Sequence, residues 1–512
     1  MLPLTLAELA AVVGGELHRG GENATASTAP GTGPGLRRGA GARQDASADT
    51  IVVTGPAYLD SRLVTPGSLF AAFEGEYADG HEYAAAAAER GAAAVLGSRP
   101  TGVPTVVVPD VRAALQTLAH DQLDRLRAAG PLQVVAVTGS QGKTSAKDLL
   151  GAVLADAAPT VATEGSFNNE LGLPLTVLRA DASTRYLVLE MGARGIGHLA
   201  ELCAIARPDV SVVLNVGKAH LGEFGSYEAI AQAKGELVEA LSAAGVAVLN
   251  ADDPAVLAMA ARTAARITTF GEAPTADVRL HDLRLDLHGR PSFQLTTAQA
   301  SAAVSLRLVG EHQAANAAGV AAAALGLGLG LGQVARSLAA VTAISRWRME
   351  VTERSDGVTV VNDSYNANPD SMRAALKALA AIGRARGPGA RTVAVLGEMR
   401  ELGESSRDEH DAIGRLAVRL DIHRLVVVGE PAKAMHLGAH LEGSWGEESV
   451  FVPDNDAATR WLDDNLRAGD VVLLKASRGG RLDEVAAHLL RADLPRVDAG
   501  TDTGIDTGTG DA

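Results

Sequence analysis

The stretch VVAVTGSQGKTSAKDLL, Val134 to Leu150, decides how the rest of the chain reads. Val134 to Val137 are apolar and mostly β-branched, as a short strand buried on both faces requires. Thr138-Gly139-Ser140-Gln141-Gly142-Lys143-Thr144-Ser145 follows and opens a helix-forming run. A strand, a glycine turn and a helix N-terminus form an anion site, because free backbone N–H groups and the positive helix end converge there. Glycine lets the backbone approach phosphate closely, Lys143 adds a mobile cation, and the Thr144 hydroxyl is placed to ligate Mg2+. The full spacing G-x-x-x-x-G-K-[ST] is not met, since Val137 stands five residues before Gly142, and the shorter G-x-x-G-K-T form remains. A glycine turn without ligand is the alternative for this motif alone. The flanking strand and helix favour a nucleotide.

Downstream, TEGSFNNELGLPLTVL places Asn168 and Asn169 on a glycine-rich loop. Tyr186 to Glu190 (YLVLE) reads as a buried strand ending in a carboxylate, a hard oxygen ligand suited to Mg2+. Asp209 to Asn215 is the next strand, leading to Lys218-Ala219-His220 on a loop, and Ser226 to Leu241 reads as an amphipathic helix carrying Lys234. Alone, His220 and Lys234 are ordinary surface residues; after a phosphate loop they become candidates. Three strands delivering polar groups at their C-terminal edge match the place where open α/β sheets bind ligands. Glu311 to Asn316 starts an Ala/Gly-rich helix, where Asn316 is either a packing amide or a reader of a purine edge.

The chain of 512 residues predicts about three domains with ample core. Its net charge of −15 argues against nucleic acid or an anionic membrane as main partner. The single cysteine, Cys203, excludes an internal disulfide framework and a cysteine-built zinc site. The N-terminus has helically spaced apolar residues and no basic leader region, so neither a signal peptide nor membrane insertion is expected, and a cytoplasmic setting follows. Only seven of the 46 basic residues are lysines, Lys143, Lys234 and Lys475 among them. Where arginine serves as the general surface cation, a surviving lysine is a candidate for a role arginine cannot fill.

The first domain spans 1–131. Residues 22–49 are low-complexity and read as a disordered insertion, as does the tail 498–512. Short strands (68–73, 93–96) alternate with a helix at 82–90, and Gly75, Asp79, Gly80 and His81 form a polar turn that an ordinary capped loop would also explain. The central domain covers 132–344. The third, 345–497, carries four apolar strands (358–363, 392–397, 424–429, 471–477) separated by helical runs, so a Rossmann-like parallel sheet is expected. No G-x-G-x-x-G follows any of them, which counts against a dinucleotide site. The fold class is therefore α/β in three domains: a small α/β domain, a central phosphate-loop ATPase domain with a mainly parallel sheet, and a Rossmann-like C-terminal domain.

TGSQGKTS (138–145), FNNELGLP (167–174), LEMGARG (189–195), NVGKAHLGEFGS (215–226), AQAKGE (231–236), NDSYNANPDSM (362–372), LGEMRELGESS (396–406) and KASRGG (475–480) together resemble the Mur ligase family of peptidoglycan-building enzymes. The resemblance covers nearly the whole chain. DSYNANP followed by LGEMRELG points to the branch that adds D-alanyl-D-alanine, and no Asp-Asn-Pro-Arg of the tripeptide-forming sister is present. The insertion and the tail are the departures, and neither touches a motif.

The resemblance implies ATP-driven amide formation through an acyl phosphate, with a UDP-N-acetylmuramoyl-tripeptide as acceptor and D-Ala-D-Ala as amine. It implies that Gly139, Ser140, Gln141, Gly142, Lys143, Thr144 and Ser145 hold ATP, with Asn316 and Asp363 on adenine and ribose. Arg348 matches the interdomain arginine, Arg346 being the weaker register. Thr144 and Glu190 would hold one Mg2+, and His220 with Lys234 a second, Lys234 being carbamylated by CO2. Ser61, Arg62, Gly75 and His81 resemble the uridine-nucleotide face; Asn168 and Asn169 would approach the muramoyl-peptide. Asn366, Asn368, Lys475, Ser477 and Arg478 would meet the dipeptide, with an Asx-turn role in fixing the loop as the lesser alternative for Asn366 and for Asn368. A monomer is expected. A sister peptidoglycan or folyl-polyglutamate ligase would share the ATP site with another amine, and a nucleotide-gated binding protein would hydrolyse ATP with neither substrate.

Overall fold

The computed structural model describes residues 1–20, 50–75, 78–218, 221–342, 345–387, 389–443 and 446–491. The expected insertion at 22–49, the tail 498–512 and His220 lie outside the described residues. The described chain forms two compact units. The first runs to Arg346 and takes in Asn368–Ala374 and Glu401–Ser406; the second comprises Trp347–Ala367, Ala375–Arg400 and the chain from Arg407 onward.

The first unit is built on a nine-stranded sheet: β1 Gln133–Thr138, β2 Thr160–Ala162, β3 Tyr186–Glu190, β4 Val210–Val213, β5 Val246–Asn250, β6 Arg266–Gly271, β7 Val278–Leu285, β8 Pro291–Thr296 and β9 Ser301–Ser305. Its order is β9-β8-β7-β6-β5-β4-β1-β3-β2, parallel from β2 to β7 and antiparallel at β7-β8-β9. The apolar run of β1 is explained by its central place: Val134 and Ala136 enter one core, Val135 and Val137 the other. Helix α1 (Lys143–Ala155) and helix α2 (His312–Gly326) cover the second face; the alanines of α2 let it lie close to the strands. β7 to β9 escaped sequence expectation, because their polar outer faces dilute the apolar signal; β7 alternates in burial along VRLHDLRL.

Ahead of the central sheet lies a five-stranded one, in spatial order Glu16–His18, Thr105–Val107, Ala94–Gly97, Leu69–Ala71 and Ala57–Tyr58, antiparallel only at its first pair. The helically spaced N-terminal residues form the helix Leu6–Val13, which Thr5 and Glu8 cap reciprocally. Helix Val111–Ala129 sends Leu115, Leu118, Leu123 and Leu126 into the same core that holds Val134, Leu187 and Leu189. The hydrophobic core therefore continues across residue 131, which is why 1–131 and 132–344 fall in one unit.

The second unit has six strands: β10 Glu350–Glu353, β11 Thr359–Asn362, β12 Thr392–Leu396, β13 Arg424–Val428, β14 Ser449–Val452 and β15 Val471–Lys475. Their order is β10-β11-β15-β12-β13-β14, antiparallel only at β10-β11. Among the described residues no helix is long and apolar enough to cross a membrane.

Candidate functional site

β1 ends at Thr138, whose hydroxyl donates to the Met191 carbonyl at 2.9 Å, and the chain turns through Gly139 to Gly142 into α1. Gly142 has φ +79, a backbone conformation that glycine adopts without Cβ strain. A Cβ there would stand 2.6 Å from Asn316 Oδ1, so the asparagine expected at adenine packs directly on the loop. Asn316 Nδ2 also donates to Gln313 Oε1 at 3.1 Å. Lys143 Nζ donates to the Gly139 carbonyl at 2.7 Å, folding the cation back over the turn. The N–H groups of Ser140 and Gln141 both donate to Asn215 Oδ1 at 3.0 Å.

β3 lies beside β1, with Glu190 in register with Val137, so the carboxylate and the phosphate loop leave the same sheet edge. Glu190 is buried; its Oε1 accepts from Asn168 Nδ2 at 2.7 Å, and its Oε2 is buried without a hydrogen-bond partner. A buried carboxylate oxygen with nothing donating to it is costly unless a cation takes the place of the donor. The donor set therefore fits Mg2+, with the Thr144 hydroxyl as the other named oxygen. Among the described residues, which do not include His220, there is no group of three or more His, Cys, Asp or Glu that could hold a metal.

Helix α3 (Tyr227–Glu239) carries Lys234, which is only 3 % exposed. Burial first, and then the neighbouring Lys143 charge, push its ammonium well below the ordinary lysine range. A lowered pKa favours the free amine, which is the form able to take up CO2. Arg262 braces the same turn, donating to the carbonyls of Ala231 and Gln232 at 3.3 and 2.8 Å. Asn169, by contrast, spends its Oδ1 on the N–H groups of Leu171 and Gly172, at 3.3 and 2.9 Å, which orders the start of the helix Gly172–Val177. The paired asparagines thus divide: Asn168 orients a carboxylate, and Asn169 holds a helix start.

In the five-stranded sheet, the Gly75 turn closes through Gly75 N–H to the Ala78 carbonyl at 3.0 Å. His81 is buried with both ring nitrogens engaged: Nδ1 lies 2.6 Å from Asp79 Oδ1, and Nε2 accepts from the Ser98 N–H at 2.9 Å. It organises the turn from beneath. Asp79 is held below the usual carboxylate range by Arg99 first and then by His81. Arg62 is exposed and forks onto Asp60, holding that carboxyl down at about 2, with Ser61 between them in the turn.

In the second unit, Lys475 Nζ donates to Asp363 Oδ2 at 2.6 Å and to the Asn366 carbonyl at 2.8 Å. Asp363 Oδ1 accepts from the Met349 N–H at 3.1 Å. Ser477 is buried, donating to the Ala367 carbonyl and accepting from the Arg400 N–H. Asn366 Oδ1 takes the Ala367 N–H, while Asn368 Oδ1 takes that of Ser371 at 2.8 Å. Lys475, Asp363, Asn366 and Ser477 are thus tied together in the second unit, whereas Asn368 and Ser371 belong to the first. Arg478 differs: it is half-exposed, and its guanidinium lies 4.2 Å over the Trp347 ring. Arg348 lies 4.2 Å over Tyr365 with its Nε buried and without a hydrogen-bond partner, and Arg346 is exposed. Trp347 and Met349 both hold positive φ, +60 and +50, on either side of it.

The residues match the Mur ligase family, catalytic domain over 58–130, the Mur ligase middle domain over 137–324 and the Mur ligase, glutamate ligase domain over 347–478. A UDP-N-acetylmuramoyl-tripeptide–D-alanyl-D-alanine ligase of Mycobacterium tuberculosis is 49% identical over 526 aligned residues, covering 96% of this chain and 99% of the relative. The chain belongs to the Mur ligase family.

The fold agrees with that membership. MurF of Acinetobacter baumannii superposes with a TM-score of 0.78 at 30% identity, covering 96% of this chain and 99% of that one. MurF of Thermotoga maritima, solved in complex with ADP, gives 0.73 at 30% identity, over 86% of this chain and 98% of that one. Within this Mur ligase, sequence reasoning overlooked Asn215, Thr163 and Trp347 as site-building residues. Thr163 Oγ1 accepts the Glu190 N–H at 3.0 Å. Asn215 stood inside a quoted motif, and its place directly after an apolar strand next to the phosphate-loop strand was the available signal.

Proposed function

We propose that this chain joins D-alanyl-D-alanine to a UDP-N-acetylmuramoyl-tripeptide, converting ATP to ADP and phosphate, in peptidoglycan precursor synthesis. One observation carries the reading: a phosphate loop, a buried carboxylate with an unpartnered oxygen and a buried lysine whose pKa burial lowers share one unit of a Mur ligase. A peptide carboxylate is a poor electrophile, and phosphorylation turns it into an acyl phosphate that an amine can attack. Two anions must meet in the first step, so cations belong at the γ-phosphate. Lys143 is that cation.

Bound Mg2+ would neutralise phosphate charge, with Thr144 and Glu190 holding one ion and His220 with the carbamate of Lys234 a second. Asn168 keeps Glu190 oriented by holding its other oxygen. Ser140, Gln141, Gly142 and Ser145 form the rest of the phosphate cradle, and Asn316, Asp363 and Arg348 are assigned to the nucleotide. Ser61 and Arg62, in the turn that Asp60 caps, serve the uridine nucleotide together with the turn that holds Gly75 and His81. Arg478 reads the dipeptide carboxylate, while Asn366, Asn368, Lys475 and Ser477 hold its loop. The segments 1–131, 132–344 and 345–497 are assigned as acceptor, ATP and dipeptide domains. The test is ADP release measured with each candidate amine, with and without the UDP-linked acceptor. Turnover confined to D-Ala-D-Ala plus acceptor is expected; ADP release with neither substrate would mean a nucleotide switch instead.

A further inference from the structure

β4 lies beside β1 in the sheet, with Val213 opposite Thr138, so the segment after β4 runs along the phosphate loop. Asn215 in that segment makes three side-chain hydrogen bonds to the loop backbone. Its Oδ1 accepts from Ser140 N–H and Gln141 N–H, each at 3.0 Å, and its Nδ2 donates to the Gln141 carbonyl at 3.2 Å. The Ser140 N–H also reaches the Asn215 carbonyl at 3.1 Å. An amide is needed here, because one short side chain must both accept and donate.

The segment that carries Asn215 is itself fixed. Asn250 Nδ2 donates to the Leu214 carbonyl at 2.9 Å, and Asp253 Oδ2 accepts from the Val216 N–H at 2.8 Å. The Gly217 N–H donates to Ser140 Oγ at 2.7 Å. Asn215 is thus anchored to the end of β5 and cannot simply follow the loop. A glycine-rich turn has much backbone freedom to lose on ordering, and ordering it in advance removes that cost from ligand binding.

We propose that Asn215 is a positioning residue that holds the phosphate loop in its nucleotide-accepting shape before any nucleotide arrives. The proposal rests on the phosphate-loop assignment above. Asn215 touches no reacting atom; it acts through the backbone of Ser140 and Gln141.

The test is residue-resolved amide hydrogen exchange on the nucleotide-free full chain, together with the KM of each substrate. In Asn215→Ala, exchange at Gln141, whose N–H loses its acceptor, is expected to quicken at least tenfold while the β1 amides keep their wild-type rates. The KM for ATP should rise at least tenfold, with those for the acceptor and D-Ala-D-Ala within twofold. Asn215→Asp keeps both acceptor bonds but turns an oxygen toward the Gln141 carbonyl, so its exchange at Gln141 should stay slower than in the alanine variant, and it should bind ATP more weakly because a carboxylate then stands beside the phosphates. Unchanged exchange at Gln141 in the alanine variant would overturn the proposal. So would fast exchange in the aspartate variant, or an equal rise in all three KM values. Failure of ADP to bind the wild-type chain would overturn the phosphate-loop assignment, whereas the exchange comparison is made without nucleotide and judges Asn215 by itself.

Discussion

Lys475 Nζ lies 2.6 Å from Asp363 Oδ2, a nearly buried ion pair that joins the end of β15 to the loop after β11. Both groups were expected on ligands, and the structure gives each the other as partner. The pair therefore fixes the loop that carries Asn366, while Arg478 stays half-exposed, 3.7 Å from Asp483 Oδ2.

Removing one member of such a pair strands a buried charge, which costs about 3–5 kcal/mol. Lys475→Met should lower unfolding stability by about 3 kcal/mol in urea titrations. In an Asp363→Asn background the same change should cost about 1 kcal/mol or less, since no carboxylate is left stranded. Equal costs in both backgrounds would mean that the pair is not coupled.

Lys234 should weaken the apo protein and be needed for turnover. Burial lowers its pKa in the folded chain, so between the folded and unfolded pKa values the unfolded state binds more protons and stability rises with pH, by up to about 1.4 kcal/mol per unit. Lys234→Met should therefore melt higher than wild type at pH 7, by a margin that shrinks as the pH is raised to 9. The same variant should be inactive. Lys234→Ala should regain part of its activity from short carboxylates standing in for the carbamate, and normal turnover by Lys234→Arg would dismiss the carbamate.

Gly142→Ala meets two obstacles, a positive φ and a Cβ 2.6 Å from Asn316 Oδ1. A strained residue of this kind costs about 1–3 kcal/mol. Thermal unfolding should show that loss, and the KM for ATP should rise about tenfold or more. Pairing the change with Asn316→Ala should recover only part of the stability, since the second obstacle is then gone and the φ strain remains.

Arg478 can fork onto a carboxylate while stacked on Trp347, which lysine cannot copy. Arg478→Lys should raise the KM for D-Ala-D-Ala about tenfold, a loss of about 1.4 kcal/mol, and leave the KM for ATP nearly unchanged. Amidating the dipeptide should harm the wild type and have much less effect on the variant. If the two losses multiply, the carboxylate is read elsewhere.

Sequence alone determined the parallel α/β core and the phosphate loop. Both are written in contiguous residues: the apolar runs at Val134–Val137, Tyr186–Leu189 and Val471–Leu474 exceed what a half-exposed strand would carry, and GSQGKT sets its own turn. The Mur ligase motifs are likewise contiguous, so membership was legible without coordinates. What each polar side chain in those motifs does was decided only by tertiary structure. Asn168 and Asn169 are neighbours of one residue type, yet one orients Glu190, 22 residues away, and the other holds its own helix start. His81 is spoken for by Asp79 and Ser98, Lys475 by Asp363, and the Ser140 and Gln141 amides by Asn215. A hydrogen-bonding group takes whichever partner the folded chain brings within about 3 Å. Strand order sets that proximity, which residue type and local spacing do not encode.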